Sequence, residues 1–525
     1  MFRPIRRMTG VVAAAFTLML ATTASAQLAG MPGAAAGINP VGQAQLADAL
    51  QQVPTNADIA VVIPSLTAVN QSAAMLNEKL GLGMPELNDL VASLKGQMGI
   101  GPGMNEQGSV VIFASELVEA AQNNSPNPPI VVLLPVTDYG QFVGNWGGVA
   151  DEGAQELVTP MGQVVTAKKS GNYAVISASA KLVEQYDPGR AAERLMVQTG
   201  EVGRDVMTSS QITLLVNLER LSPRLRPQLQ QMRQMMMQEM AAAPDPAGQM
   251  QVAMSMMELY LDGLDAVMRD GSMMALGLDV TDSGVGLTNS VQFKPGSQAA
   301  KFFKGGANAA PLLAELPDRP YMFAYAMNLE AMDMGPVLDH IDAAMKDAND
   351  PFSQMVKSGL QTYRNAQGVA QAYFAPQPGA GMAGLLNSVA LIKTEDVAGA
   401  RQNVRESIEG MQKMMAAANE AAGPDAPQMM MSTQYSPNTM KIGGVDVDQY
   451  AMSLTLPPEL MQTEIAPMLM MLGVTNQQGY VAGQDDYLIV TQGTDAQTLT
   501  QTLGSVGQNA GIGSGDVAAI GITNQ

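Results

Sequence analysis

Short runs rich in β-branched residues alternate with stretches whose apolar positions recur every three or four residues. Ile59 to Ile63 is a near-continuous apolar run bounded by the turn Pro54-Thr-Asn-Ala-Asp58 and by Pro64, which predicts a buried strand. Ser109 to Ala114, Ile130 to Val136 and Tyr173 to Ser177 predict three more. Between them, Val69, Ala73, Leu76 and Leu80 fall at helical spacing within a helix Ser65 to Leu80, and Pro85 opens a second helix running to Gly96. Thr137-Asp138 predicts a helix cap after the third strand, and Gly162 to Lys168 with Tyr173 to Ser177 predicts a hairpin.

The order then returns. Gly171-Asn-Tyr173 opens one apolar run and Asp485-Asp-Tyr487 another, each followed by small hydroxyl residues read as helix caps. Tyr321 to Leu329, Val369 to Phe374, Ser388 to Ile392 with Thr394-Glu395, and Asp446 to Leu456 complete a second set. With Asp138 matched to Glu395 the offset is 257, and between Tyr173 and Tyr487 it is 314. The difference predicts an insertion at about 405–445, rich in Met and Pro, with a mobile loop over Gly423 to Ser436.

These patterns predict an α+β fold: two pseudo-repeated halves of antiparallel or mixed sheet covered by helices. A Met-rich helical hairpin, Arg224 to Ala243 and Gln249 to Met268, lies between them. The expected division is 1–26 as a signal peptide and 27–43 as a flexible Gly/Ala/Pro leader. The first half covers 44–205, a connector with the helical hairpin and a β-hairpin covers 206–310, and the second half covers 311–525.

The early "Ala-Asp, apolar strand, Pro" element at Ala57-Asp58 and Ile59 to Pro64 is followed by a strand ending in an acidic cap, Val131 to Asp138. A "Tyr, apolar strand, small residue" element, Tyr173 to Ser177, comes next. This order resembles a domain-of-unknown-function family of exported bacterial α+β proteins. The resemblance implies export and supplies no catalytic residues.

Arg3, Arg6 and Arg7, the apolar run Val11 to Leu20 and Ala24-Ser-Ala26 together form an export signal, with cleavage expected near Ala26. Arg6-Arg7 leaves both the general and the twin-arginine route open. No later apolar run is long enough for a transmembrane helix, so the mature chain is expected in the periplasm or outside the cell. The chain has no cysteine, which excludes disulfides and thiolate chemistry. Its formal charge of −20, taken to −23 by loss of the three arginines, argues against a nucleic-acid partner.

Forty-two methionines stand out. Leu225, Leu229, Met232, Met236 and Met240 form a helical stripe, as do Met250, Met254, Met257, Leu261, Leu264 and Met268, so core packing is the expected use. Thioether sulfur also suits Cu(I). Met429, Met430 and Met431 have no stripe to join and are the candidate copper ligands, beside looser groups at Met235 to Met237 and Met468 to Met471.

Candidate chemistry is otherwise thin. The one histidine, His340, stands between Asp339 and Asp342 without a recognisable nucleophile. Asp446 and Asp448 are candidate calcium ligands, and the turn acids Asp279, Asp282, Asp485 and Asp486 are expected to be solvated. There is no phosphate loop and no nucleophile elbow. The expectation is therefore an exported cell-envelope protein that binds or scaffolds, with no cofactor and no catalytic residues. Its partner would be a protein or a hydrophobic ligand. The alternatives are a carrier of hydrophobic ligand or Cu(I) on Met-rich surfaces, and a hydrolase using an unrecognised carboxylate pair.

Overall fold

The computed structural model describes residues 43–508, apart from 81–82, 124, 126–127, 152, 190–191, 242–260, 282–283, 304–308, 320, 331, 345–350, 375–386, 423–429, 456–475 and 494–495. The fold is α+β and its two sheets are antiparallel throughout the described residues.

The first sheet contains β1 (Ile59–Ile63), β2 (Val110–Ala114), β3 (Ile130–Pro135), β4 (Gln155–Val158), β5 (Val164–Ser170), β6 (Tyr173–Ser177), β7 (Ile212–Asn217), β8 (Gly271–Thr281) and β9 (Gly284–Phe293). Their order is β4-β5-β6-β3-β2-β1-β7-β8-β9. The second contains β10 (Tyr321–Asn328), β11 (Ala366–Phe374), β12 (Ser388–Thr394), β13 (Met430–Ile442), β14 (Val445–Thr455), β15 (Asn476–Gln484) and β16 (Tyr487–Gln492). Their order is β10-β11-β12-β16-β15-β14-β13.

The β-branched runs are buried on both sides because helices cover both faces of the first sheet. On one face Leu46, Leu50, Leu195 and Val206 pack on Val62, Val111, Leu133 and Val175. On the other, Phe142 and Trp146 pack on Leu134, Leu157 and Ile176. The segment 206–310, read from the sequence as a connector, adds β7, β8 and β9 to the first sheet by pairing β7 with β1.

The duplication can be followed residue by residue. Across the first sheet, Val62, Val111, Leu133 and Val175 lie opposite one another in turn. Across the second, Ala326, Ala370, Leu391 and Ile489 do the same. All eight are buried. Each sheet has a leucine and proline ahead of its first strand, Leu50 and Pro54 in one and Leu313 and Pro317 in the other.

Register also corrects the expected alignment. Pro135 lies opposite Tyr173 and Lys393 opposite Tyr487, so these positions correspond at an offset of 258. Asp138 therefore matches Asp396, not Glu395. Asp138 Oδ1 accepts from Gln141 N at 3.0 Å and Asp396 Oδ1 from Gly399 N at 2.9 Å, each capping its helix. Glu395 instead accepts from Gln367 Nε2 at 3.3 Å. The same reasoning matches Leu157 to Tyr450 at 293, so the second copy gains 35 residues before β14 and 21 after it.

The first gain lengthens the capped helix from Tyr139–Gly144 to Val397–Ala422 and adds the extra strand β13. Residues 430–436, expected within a mobile loop, are strand, and 423–429 lie outside the described residues. The second gain falls largely on 456–475, also outside them.

Ser179 is the N-cap residue of the helix Ala180–Glu184 but makes no side-chain cap bond, and Ser177 and Thr491 bond elsewhere. Ser177 Oγ donates to Ile130 O at 2.7 Å and accepts from Ser179 N at 3.1 Å. Thr491 Oγ1 accepts from Tyr480 N at 2.9 Å within the sheet. Among the described residues no helix is long and apolar enough to cross a membrane.

Candidate interaction surface

The buried carboxylates Asp58 and Asp448 are each paired with arginine. Asp58 ends the turn before β1 and is fully buried. Arg220 and Arg224 stand one turn apart on the helix Leu218–Ala241, so both reach it, at 3.2 and 3.4 Å. Leu117 N donates a third bond at 3.2 Å, and Arg224 also pairs with Glu119 at 3.0 Å. A single carboxylate thereby ties β1 to two helices. This cluster was invisible in sequence, because its partners lie far apart along the chain.

Asp448, a candidate calcium ligand, is buried and held by four donor contacts. Both guanidinium nitrogens of Arg401 (Nε at 2.6 Å), the Tyr435 hydroxyl and Asn438 N at 2.8 Å all point at it. Burial pushes the carboxyl up, but the Arg401 and Tyr435 bonds, the Asn438 amide and the Arg401 charge outweigh it and hold it below the usual carboxylate range. Asp446, its proposed partner, is exposed and paired with Lys441 at 3.1 Å. Each acid thus has its own cation, and the two do not form a ligand set.

The other acids are similarly placed. Asp339 and Asp342 both bond Arg364, at 2.8 and 2.5 Å. His340 is in the helix Gly335–Ala344, and its side chain is outside the described residues. Asp486 pairs with Lys393 at 3.5 Å, Asp485 sits in a turn at φ 51°, and Asp279 accepts from Gln211 N at 2.9 Å. Asp282 lies outside the described residues. Among the described residues no three His, Cys, Asp or Glu side chains are grouped to hold a metal.

The methionines divide. Met268 and Leu261 are buried as the stripe predicts, while Met250, Met254 and Met257 are outside the described residues. On the helix Leu218–Ala241 the stripe leaves the core: Leu225 and Leu229 are half-buried, but Met232 and Met235 are exposed. The side chains of Met236 and Met240 are not described. Met430 and Met431 are neighbours on β13, so their side chains leave opposite faces of the sheet and cannot share an ion. Met429, Met468, Met470 and Met471 lie outside the described residues.

Among the described residues an open depression of about 560 Å³ lies along the helix Leu218–Ala241, lined by Gln230, Arg233, Gln234, Met237 and Gln238, with no carboxylate in its lining. A second hollow, lined by Val53, Asp58, Arg194, Asn217 and Met273, measures about 10 Å³ and holds about one water.

Exposed apolar side chains gather at the β4–β5 end of the first sheet. Val158 on β4 and Val164 on β5 are directly opposed and 56% and 52% exposed, and Met161 in the turn between them is 69% exposed. Leu94 and Met98, one turn apart near the end of the helix Leu90–Met98, are also exposed. Gly99 brings them together. It caps that helix at φ 63°, and a Cβ there would lie 2.1 Å from the Pro160 ring, so glycine lets the hairpin turn rest on the helix end. Trp146 Nε1 fixes the same end by donating to Met98 O at 3.0 Å. A four-residue strand offers too little alternation for sequence reading to find this surface.

No family model, no curated protein and no solved structure matches the chain. The resemblance drawn from Ala57-Asp58, Val131 to Asp138 and Tyr173 to Ser177 rests on those patterns alone.

Proposed function

We propose that this is an exported cell-envelope protein that acts by binding or scaffolding rather than by catalysis, through the β4–β5 hairpin and the neighbouring helix end. The carrying observation is the exposure of Val158, Met161 and Val164 at a sheet margin, with the Leu90–Met98 helix end meeting the hairpin turn at Pro160. Contiguous exposed apolar side chains rimmed by polar groups mark interaction sites. Supporting it, the buried carboxylates Asp58 and Asp448 are committed to arginines and backbone amides. The exposed pair Met232 and Met235 supports a second surface for a hydrophobic ligand.

The test is a photo-crosslinking amino acid placed at Met161 or, as a control, at the equally exposed Val197. A discrete adduct from Met161 that Val197 does not form supports the reading. The same adducts from both positions, or none, contradict it.

A further inference from the structure

We infer that the outer edge of β4 is a strand-binding site for an extended segment of a partner protein, and that the second copy of the fold specifies the segment. This rests on the binding reading above and names its mode and its partner's chemistry.

Among the described residues β4, like β9, is a terminal strand of the first sheet. Its counterpart β14 is not terminal, because β13 pairs along it. Register transfers that pairing from one copy to the other. Gln155, Glu156, Leu157 and Val158 correspond to Asp448, Gln449, Tyr450 and Ala451, since each set faces equivalent residues of β5 and β15. In the second copy Gln434, Tyr435 and Ser436 lie opposite Ala451, Tyr450 and Gln449. A strand on β4 would place its residues opposite Val158, Leu157 and Glu156 in the same way, running antiparallel and pairing with the outward backbone groups of the edge.

The differences between the copies set the chemistry. Ala451 faces Gln478, a small and a polar residue, and β13 meets them with Gln434. In the first copy the same pair is Val158 and Val164, so the incoming residue there is apolar. Beside Leu157, in the place of Tyr435, it is aromatic or a large aliphatic. Opposite the exposed Glu156, in the place of Ser436, it is Lys or Arg. The segment thus reads apolar, aromatic, basic from N to C.

Edge protection agrees. The outer strand β13 carries Pro437, Lys441 and a register shift between Ser436 and Met440, devices that stop further pairing. β4 has no proline and no lysine, and its protection is confined to its length of four residues and the charge of Glu156. Lys168 and Lys169 stand on β5 past the last β4 pair at Gln155–Ala167, which limits the site to a short segment.

The test uses the full chain and a fluorescent peptide of residues 432–440 carrying Gln434→Val and Ser436→Lys, titrated by anisotropy. Saturable binding is expected, at least tenfold weaker for the unsubstituted peptide and for protein carrying Val158→Pro or Val164→Lys. Val164→Lys lies on the neighbouring strand and keeps the test decisive if Val158→Pro does not fold. A peptide N-methylated at alternate amides is expected to lose binding. Equal binding by the N-methylated peptide overturns strand pairing and leaves the binding surface standing. Failure of the designed peptide to bind overturns the inference, while crosslinking at Met161 separately decides the binding reading.

Discussion

Gln155 and Asp448 occupy one position in two copies of a sheet, and each holds down the chain segment that precedes its strand. Gln155 accepts from Val149 N at 3.0 Å and donates to Val149 O at 2.9 Å. Asp448 accepts from Asn438 N at 2.8 Å and binds Arg401. The neutral clamp secures a short loop. The charged one secures a 26-residue helix and the strand β13.

The two clamps differ in expected cost. Asp448→Ala leaves the Arg401 guanidinium without its buried partner and should destabilise the second sheet by roughly 3 kcal/mol. Gln155→Ala removes neutral bonds near the surface and should cost about 1 kcal/mol. Urea unfolding of the two variants checks the ranking.

Acid should act through Asp448 and Asp270. Bonding from Arg269 is the main cause that holds Asp270 low, and Arg401 with its neighbours outweighs burial at Asp448. Both folded pKa values are depressed. Their stabilisation is therefore present above the unfolded value of about 4 and is lost as pH falls through the folded value. Asp448→Asn should be less stable than the natural chain at pH 7 and lose less stability on acidification, measured as urea midpoints across this range.

Asp279 has the opposite sign. Burial pushes its carboxyl up against the bond from the Gln211 amide. Its contribution is present below the unfolded pKa and lost as pH rises through the folded one. Asp279→Asn should raise the urea midpoint at pH 7 and leave it unchanged or lower in acid.

Asp58 should be the most sensitive carboxylate of the first sheet. Asp58→Ala leaves Arg220 and Arg224 facing a buried gap and should cost roughly 3 kcal/mol. Arg220→Ala or Arg224→Ala alone should cost about 1 kcal/mol, since each arginine is about 30% exposed and the other remains. Thermal or urea unfolding distinguishes these outcomes.

The opposite facing of Met430 and Met431 makes a prediction for copper. Cu(I) titrated under reducing conditions should bind no less tightly to the double variant Met430→Leu, Met431→Leu than to the natural chain. A loss of affinity in that variant would show that the two sulfurs converge.

Much of the fold was legible because its strands announce themselves. Ile59 to Ile63 and Tyr173 to Ser177 are apolar runs between turns, and Tyr173 and Tyr487 do begin equivalent strands. The cap was misplaced by one because Glu395 and Asp396 are both acids, and only pairing of Lys393 with Tyr487 separates them. Residues 430–436 look like loop in sequence because exposed and half-buried positions alternate there without an apolar–polar alternation of residue type: Met430 is exposed and Thr433 half-buried. β15 hid for a similar reason, opening on Asn476-Gln-Gln-Gly479. Asp58 looked like a turn residue, since Arg220 and Arg224 lie 162 and 166 positions away.

Amide hydrogen exchange on the free chain tests the central claim most directly, that two copies of one sheet differ in having one edge open and the other closed. The outward amides of Gln155–Val158 should exchange at least about 100-fold faster than those of Asp448–Ala451, which β13 covers. Equal protection at the two sets would contradict the account.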